Sequence, residues 1–169
     1  MGRKLRQGNH ITHIKSGTFS NLLSLNKLTL SRNQISYIYP GAFTKLPQLQ
    51  VLKLYSNKIT EIQTGTISNL LRLRWLSLQY NQITSIESHT FSNLPHHIQS
   101  GTGTNLSNLE SLNLACNRIT CIPFGEFSNL PKLTSLDLSF NKITYIQSET
   151  FSNLPKLKYF YIYSINTFI

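Results

Sequence analysis

One spacing constrains this chain more than any other feature. Asparagine recurs at Asn33, Asn57 and Asn81 in steps of 24 residues, and again at Asn117 and Asn141, also 24 apart. Asn9 continues the series backwards, and only the step from Asn81 to Asn117 differs, at 36. Around these residues one phrase returns: "LNKLTLSRNQISYI", "LQVLKLYSNKITEI", "LRWLSLQYNQITSI", "LESLNLACNRITCI" and "LTSLDLSFNKITYI" all read L-x-x-L-x-L-x-x-N-x-I-x-x-I. A second half follows, with Phe19, Phe43, Phe91, Phe127 and Phe151 (Ile67 in one copy) and a Leu three residues later. Periods of this size belong to solenoids, in which no unit buries its core alone and stability comes from stacking.

The x-L-x-L-x segment alternates with period 2, so it predicts a short strand with Leu28 and Leu30 and their equivalents pointing inward. Strands of successive coils pair in parallel. Each coil then turns back, which strands buried backbone groups that need partners. A buried Asn supplies two donors and an acceptor there, and Leu supplies none. Asn33, Asn57, Asn81, Asn117 and Asn141 are therefore expected to form a structural ladder, with the Phe residues stacking on the convex side.

This pattern resembles the leucine-rich repeat family over almost the whole chain, in its "typical" 24-residue subclass. The resemblance implies an α/β leucine-rich-repeat solenoid: a curved parallel β-sheet on the concave face, an irregular or 3-10 convex face, mostly β and coil. It also implies an extracellular or cell-surface setting, as in Toll-like receptor, Slit and variable lymphocyte receptor ectodomains. Three features favour a cytoplasmic alternative. The start, "MGRKLRQGNHITHIKSG", has no apolar signal region; no apolar run is long enough to span a membrane; and no cysteine-rich caps are visible. The leading reading is a fragment of an extracellular or cell-surface receptor, adhesion or matrix protein that recognises another protein through its concave face; an intracellular scaffold and a truncated non-functional copy are the alternatives.

Residues 1–169 are expected to form a single solenoid of about seven coils. Strand halves begin at Leu25, Leu49, Leu73, Leu109, Leu133 and Leu157, whereas convex halves end at Leu22, Leu46, Leu70, Leu94, Leu106, Leu130 and Leu154. The irregular repeat Leu73–Asn108 lacks one strand half, and Gly103 stands where Phe belongs. Either the extra residues bulge from the convex side while the sheet continues, or the solenoid is interrupted. The first is favoured, since loop closure costs little more as loops lengthen. This segment holds His96, His97 and Gly101, and also Asn105, the start of an N-glycosylation sequon or a chance match.

Near the N-terminus, counting back places Lys4 and Arg6 at inward strand positions, so the first strand is expected to slip onto Leu5 or fray. At the other end Leu157, Phe160 and Ile162 keep register, but Ile165 takes the Asn position. The last strand then offers an open edge suited to self-association.

The outward positions of the strands should line the concave face. Lys27, Val51, Lys53, Tyr55, Trp75, Gln79 and Tyr80 form the favoured partner-binding patch, because Trp and Tyr bury much area and keep a polar handle. Lys27, Val51 and Trp75 should form one column, and Thr29, Lys53 and Ser77 another. A second patch comprises Phe140, Tyr159, Tyr161 and Tyr163.

The net charge is +10, and residues 1–74 carry all of it: 11 Lys/Arg against Glu61, where residues 75–169 hold 5 cations and 5 acids. This suits an acidic protein ligand or a sulfated glycan. Nucleic acid is not expected, because Lys15, Lys45, Lys58 and Arg72 should lie away from the concave cations Lys27, Arg32, Lys53 and Arg74. No nucleophile with a base and no paired carboxylates are visible, so neither enzymatic activity nor a cofactor is expected. His10 and His13 lack a third ligand for a metal, and Cys116 and Cys121 should be free thiols.

Overall fold

The computed structural model describes residues 9–91 and 106–163. Lys4, Leu5, Arg6, Leu94, His96, His97, Gly101, Gly103, Asn105 and Ile165 lie outside the described residues. Within them the chain winds into a parallel β-solenoid. Strands Lys27–Thr29, Val51–Lys53, Trp75–Ser77, Ser111–Asn113, Ser135–Asp137 and Tyr159–Tyr161 form one six-stranded sheet in chain order. Each is entered by a tight turn in which a Leu amide bonds the carbonyl three residues back, as from Leu49 to Leu46 (3.2 Å) and Leu109 to Leu106 (2.9 Å). The convex side carries turns and two-residue parallel pairs such as Phe19–Ser20 with Phe43–Thr44. Among the described residues there is no α- or 3-10 helix.

Inward leucines fill the core: Leu52, Leu54, Leu76, Leu78, Leu112, Leu114, Leu136 and Leu138 are all buried. Phenylalanines stack behind them, Phe91 on Phe127 and Phe127 on Phe151, each with ring centroids 5.8 Å apart. Phe19 and Phe43 also lie 5.8 Å apart, and Ile67 separates the two stacks.

The asparagines join coil to coil. Asn81 Nδ2 donates to Leu78 O within its own coil (2.9 Å) and to Leu54 O of the coil before (3.1 Å), while its Oδ1 accepts from Ile59 N (3.1 Å). Asn57, Asn117 and Asn141 repeat this arrangement. Among the described residues Asn33 donates only within its own coil, and its Oδ1 is buried without a partner. The residue before each Asn is left-handed, with φ of 59° at Arg32, 55° at Ser56, 57° at Tyr80, 55° at Cys116 and 56° at Phe140. Such a conformation costs a side-chain-bearing residue about 1–2 kcal/mol. Its recurrence in every coil makes it a demand of the turn that sets up the Asn ladder, not a local mark of function.

The 36-residue step leaves the sheet intact. Trp75 pairs with Ser111, Leu76 with Leu112 and Ser77 with Asn113. Asn117 reaches back to Leu78 O at 3.1 Å, the same length as the regular bond from Asn81 to Leu54 O. The convex side differs. In regular steps Phe19 N bonds Ala42 O and Phe127 N bonds Thr150 O. At the irregular step Phe91 N and His89 N instead donate to the carboxylate of Glu126, a fully buried side chain at the position occupied elsewhere by Thr or Ala.

Replacing Asn81 by Leu should leave Ile59 N buried without its acceptor, at about 1–3 kcal/mol, and leave Leu54 O and Leu78 O one side-chain donor each, from Asn57 and Asn117. Asn33→Leu should cost markedly less, because Asn33 Oδ1 accepts from no described amide and so its loss strands none. Urea unfolding of the two variants measures the difference. Glu126→Ala should cost at least about 2 kcal/mol by leaving two amides without their acceptor, read in the same experiment.

Candidate functional site: the concave face

Strand pairing sets the outward residues in columns. One runs Lys27, Val51, Trp75, Ser111, Ser135, Tyr159, and the next Thr29, Lys53, Ser77, Asn113, Asp137, Tyr161. The rungs are about 4.8 Å apart. Lys27, Val51, Lys53 and Trp75 therefore lie together, with Tyr55 and Gln79 along the same two strands and Tyr80 at their exit. Trp75 is 38% exposed and Tyr80 61%, and the outward residues between them are partly covered.

Trp75 does not stand alone. The Arg74 guanidinium lies 4.5 Å from the centre of its ring. Arg74 is held in turn by Glu110, Nε to Oε1 at 2.9 Å and Nη2 to Oε2 at 3.0 Å. This fork-to-fork geometry fixes the guanidinium plane, and the stack restrains the indole. The triad crosses the irregular step, since Arg74 and Glu110 are 36 residues apart yet on neighbouring rungs. The outward repeat positions point to Trp75 but not to Glu110 or to the role of Arg74. The available signal was a cation in one coil and an acid at the same repeat position in the next.

Two groups in the patch lack a partner among the described residues. Gln79 Oε1 is buried with no hydrogen bond. Lys53 is half-buried, and no described carboxylate pairs with it. By contrast Asn113 and Asp137 are occupied: their Oδ1 atoms accept from Ala115 N and Ser139 N, both at 3.0 Å, and Asn113 Nδ2 lies 3.4 Å from Asp137 Oδ2.

The second patch is separate. Phe140 and Tyr163 meet edge to face at 4.9 Å, and Tyr159 and Tyr161 are exposed on the outermost strand. Ser111 and Ser135 lie between Trp75 and Tyr159, so small side chains separate two aromatic ends by about 14 Å. Beyond the second patch Ile146 is 40% exposed, whereas its equivalents Ile62, Ile86 and Ile122 are buried, and a cavity of about 300 Å³ opens there between Leu138, Ile143, Ile146 and Ile162.

Of the remaining residues, Leu106, the middle residue of the sequon that starts at Asn105, is buried. His10 bonds Gln34 and His13 bonds Thr12. Cys116 and Cys121 are both free. Among the described residues no three His, Cys, Asp or Glu side chains are grouped to hold a metal, and no helix is long and apolar enough to cross a membrane.

Trp75 is the sole tryptophan, so intrinsic fluorescence reports on it alone. Glu110→Gln should free Arg74, lower the anisotropy of Trp75 and raise its quenching by acrylamide. Stability should fall by no more than about 1 kcal/mol, because the pair is partly solvated, with side chains 42% and 27% exposed.

The leucine rich repeat family model matches residues 7–59, 48–97, 92–143 and 131–166. Among solved structures, the crystal structure of a TLR13–ssRNA13 complex is similar, at 33% identity and a TM-score of 0.65 over 80% of this chain. The match spans 19% of that longer chain. No curated protein sequence matches significantly. Repeat spacing, ladder and sheet agree with the family model along nearly the full length, and the chain belongs to the leucine-rich repeat family.

Proposed function

We propose that this chain is a non-enzymatic recognition module that binds a protein ligand on its concave face, centred on Trp75, Lys53, Tyr55, Gln79 and Tyr80. The carrying observation is the restrained tryptophan. Arg74, itself gripped by Glu110, holds the indole at the surface before any ligand arrives. A pre-set aromatic anchor loses little side-chain freedom on binding. Around it lie Lys53, which pairs with no described carboxylate, and the unpaired Gln79 oxygen. A partner presenting a carboxylate and a donor would satisfy both, which favours an acidic protein surface. The likeness to part of TLR13 supports a receptor, adhesion or matrix role outside the cell. It gives no support to excluding nucleic acid, since that relative is in a complex with ssRNA.

The test is a binding screen of the full chain against arrayed secreted and cell-surface ectodomains and single-stranded RNA oligonucleotides. Trp75→Ala combined with Lys53→Glu should abolish binding to the protein ligand while leaving thermal unfolding cooperative. Unchanged affinity sinks the patch, and RNA binding that the same changes abolish sinks the protein-ligand assignment. Tyr80→Gly supplies a contrast of sign. It relieves a left-handed residue, so stability should rise by up to about 1 kcal/mol while ligand affinity falls.

A further inference from the structure

The charge imbalance takes a different form once the chain is coiled. One position per coil, just before each strand, brings Gln48, Arg72, Asn108, Lys132 and Lys156 into a single row along the leading edge of the sheet. The row is real in space: Arg72 donates to Gln48 (2.5 Å) and Lys132 to Asn108 (2.6 Å), each reaching one coil back. The strand ladder runs down to this edge through Glu110 N to Arg74 O, Thr134 N to Glu110 O and Lys158 N to Thr134 O, at 2.8–2.9 Å. Cations from the basic first half and the neutral second half thus share one edge. Their immediate partners are neutral amides, which orient the charges without cancelling them. The edge's acid, Glu110, is committed to Arg74. Among the described residues no carboxylate pairs with Arg72, Lys132, Lys156 or Lys158. Between Arg72 and Lys132 lies an open polar cavity of about 360 Å³, floored by Asn108 and the Arg74–Glu110 pair.

We propose that this leading edge binds a sulfated polysaccharide, with one sulfate seated in the cavity between Arg72 and Lys132 and the chain running on past Lys156 and Lys158. Rungs about 4.8 Å apart place Lys132 about 10 Å from Arg72 and Lys156 about 5 Å further along. That is a linear track of charge, suited to a polyanion whose charges lie outside its backbone. The row contains no aromatic residue, and Arg74 covers one face of the nearest indole. Single-stranded nucleic acid relies on aromatic platforms for its bases, so the glycan is the better fit. The Arg74–Glu110 pair borders both this cavity and the Trp75 patch, but Arg72 and Lys132 belong to the edge alone, so the two bindings can fail separately.

A size-defined heparin oligosaccharide is titrated into the full chain at several salt concentrations. Arg72→Gln with Lys132→Gln should weaken binding about tenfold and lower the salt slope by about two, as two released counterions are lost. Both side chains are exposed, so melting should not change. Lys58→Gln with Lys142→Gln removes the same charge from the opposite edge and should change affinity less than about twofold. Equal losses in both variants would show that net charge alone attracts heparin and would overturn the site, as would no loss in the first. Tighter binding of single-stranded RNA than heparin through Arg72 and Lys132 would overturn the glycan assignment.

Discussion

Each buried asparagine carries out a task that no apolar residue could. Its amide group bonds backbone in its own coil and in the coil before, so position within a coil and register between coils are fixed by the same side chain. Register in a parallel sheet with short strands would otherwise rest on three residue pairs per step, and a slip of one would turn the inward leucines outward. The ladder rules that out, because its donors and acceptors would then be buried and unpaired. The left-handed residue before each Asn follows from this demand. The chain accepts local strain five times to present five amides correctly.

A frame held this way leaves the outward positions free to differ. Arg32, Ser56, Tyr80, Cys116 and Phe140 have little in common chemically, yet share one backbone conformation. Along the first column Lys, Val and Trp give way to Ser, Ser and Tyr with no change in pairing. Differences at such positions cannot come from packing, so they are where ligand chemistry is to be sought. Restraint adds a second criterion. Tyr159 and Tyr161 are exposed on an edge strand, whereas Trp75 is held by a guanidinium that is itself held by a carboxylate. Of the two aromatic ends, the Trp75 end is the more restrained.

Much of this was legible in the sequence because period converts directly into position. Spacing by 24 puts Lys27, Val51 and Trp75 in one column and the Asn amides in one ladder, since each framework residue answers to backbone geometry alone. Pairings between variable positions were not legible. Arg74 and Glu110 are 36 residues apart, and the step that separates them is the one the period does not cover. The role of Glu126 was not legible either, because it appears only where the usual backbone acceptor is replaced. The cation row was hidden for a similar reason. Counting charge by halves of the chain separates Arg72 from Lys132, whereas coiling sets them on either side of Asn108.

The irregular step shows which part of a coil tolerates insertion. Extra residues among the strands would break the ladder at once. Placed after the convex turn, they add only a slowly growing loop-closure entropy, about 0.6 kcal/mol for each doubling of length. Core contacts do not register the change: the Phe91–Phe127 separation and the Asn117–Leu78 bond match their regular counterparts. The change is felt at the polar margins, where Glu126 takes over two convex amides and Glu110 closes on Arg74. A fortuitous join would satisfy the apolar core and leave those amides unpaired. Here the join carries two carboxylates suited to its geometry, one of which steadies the exposed Trp75 through Arg74.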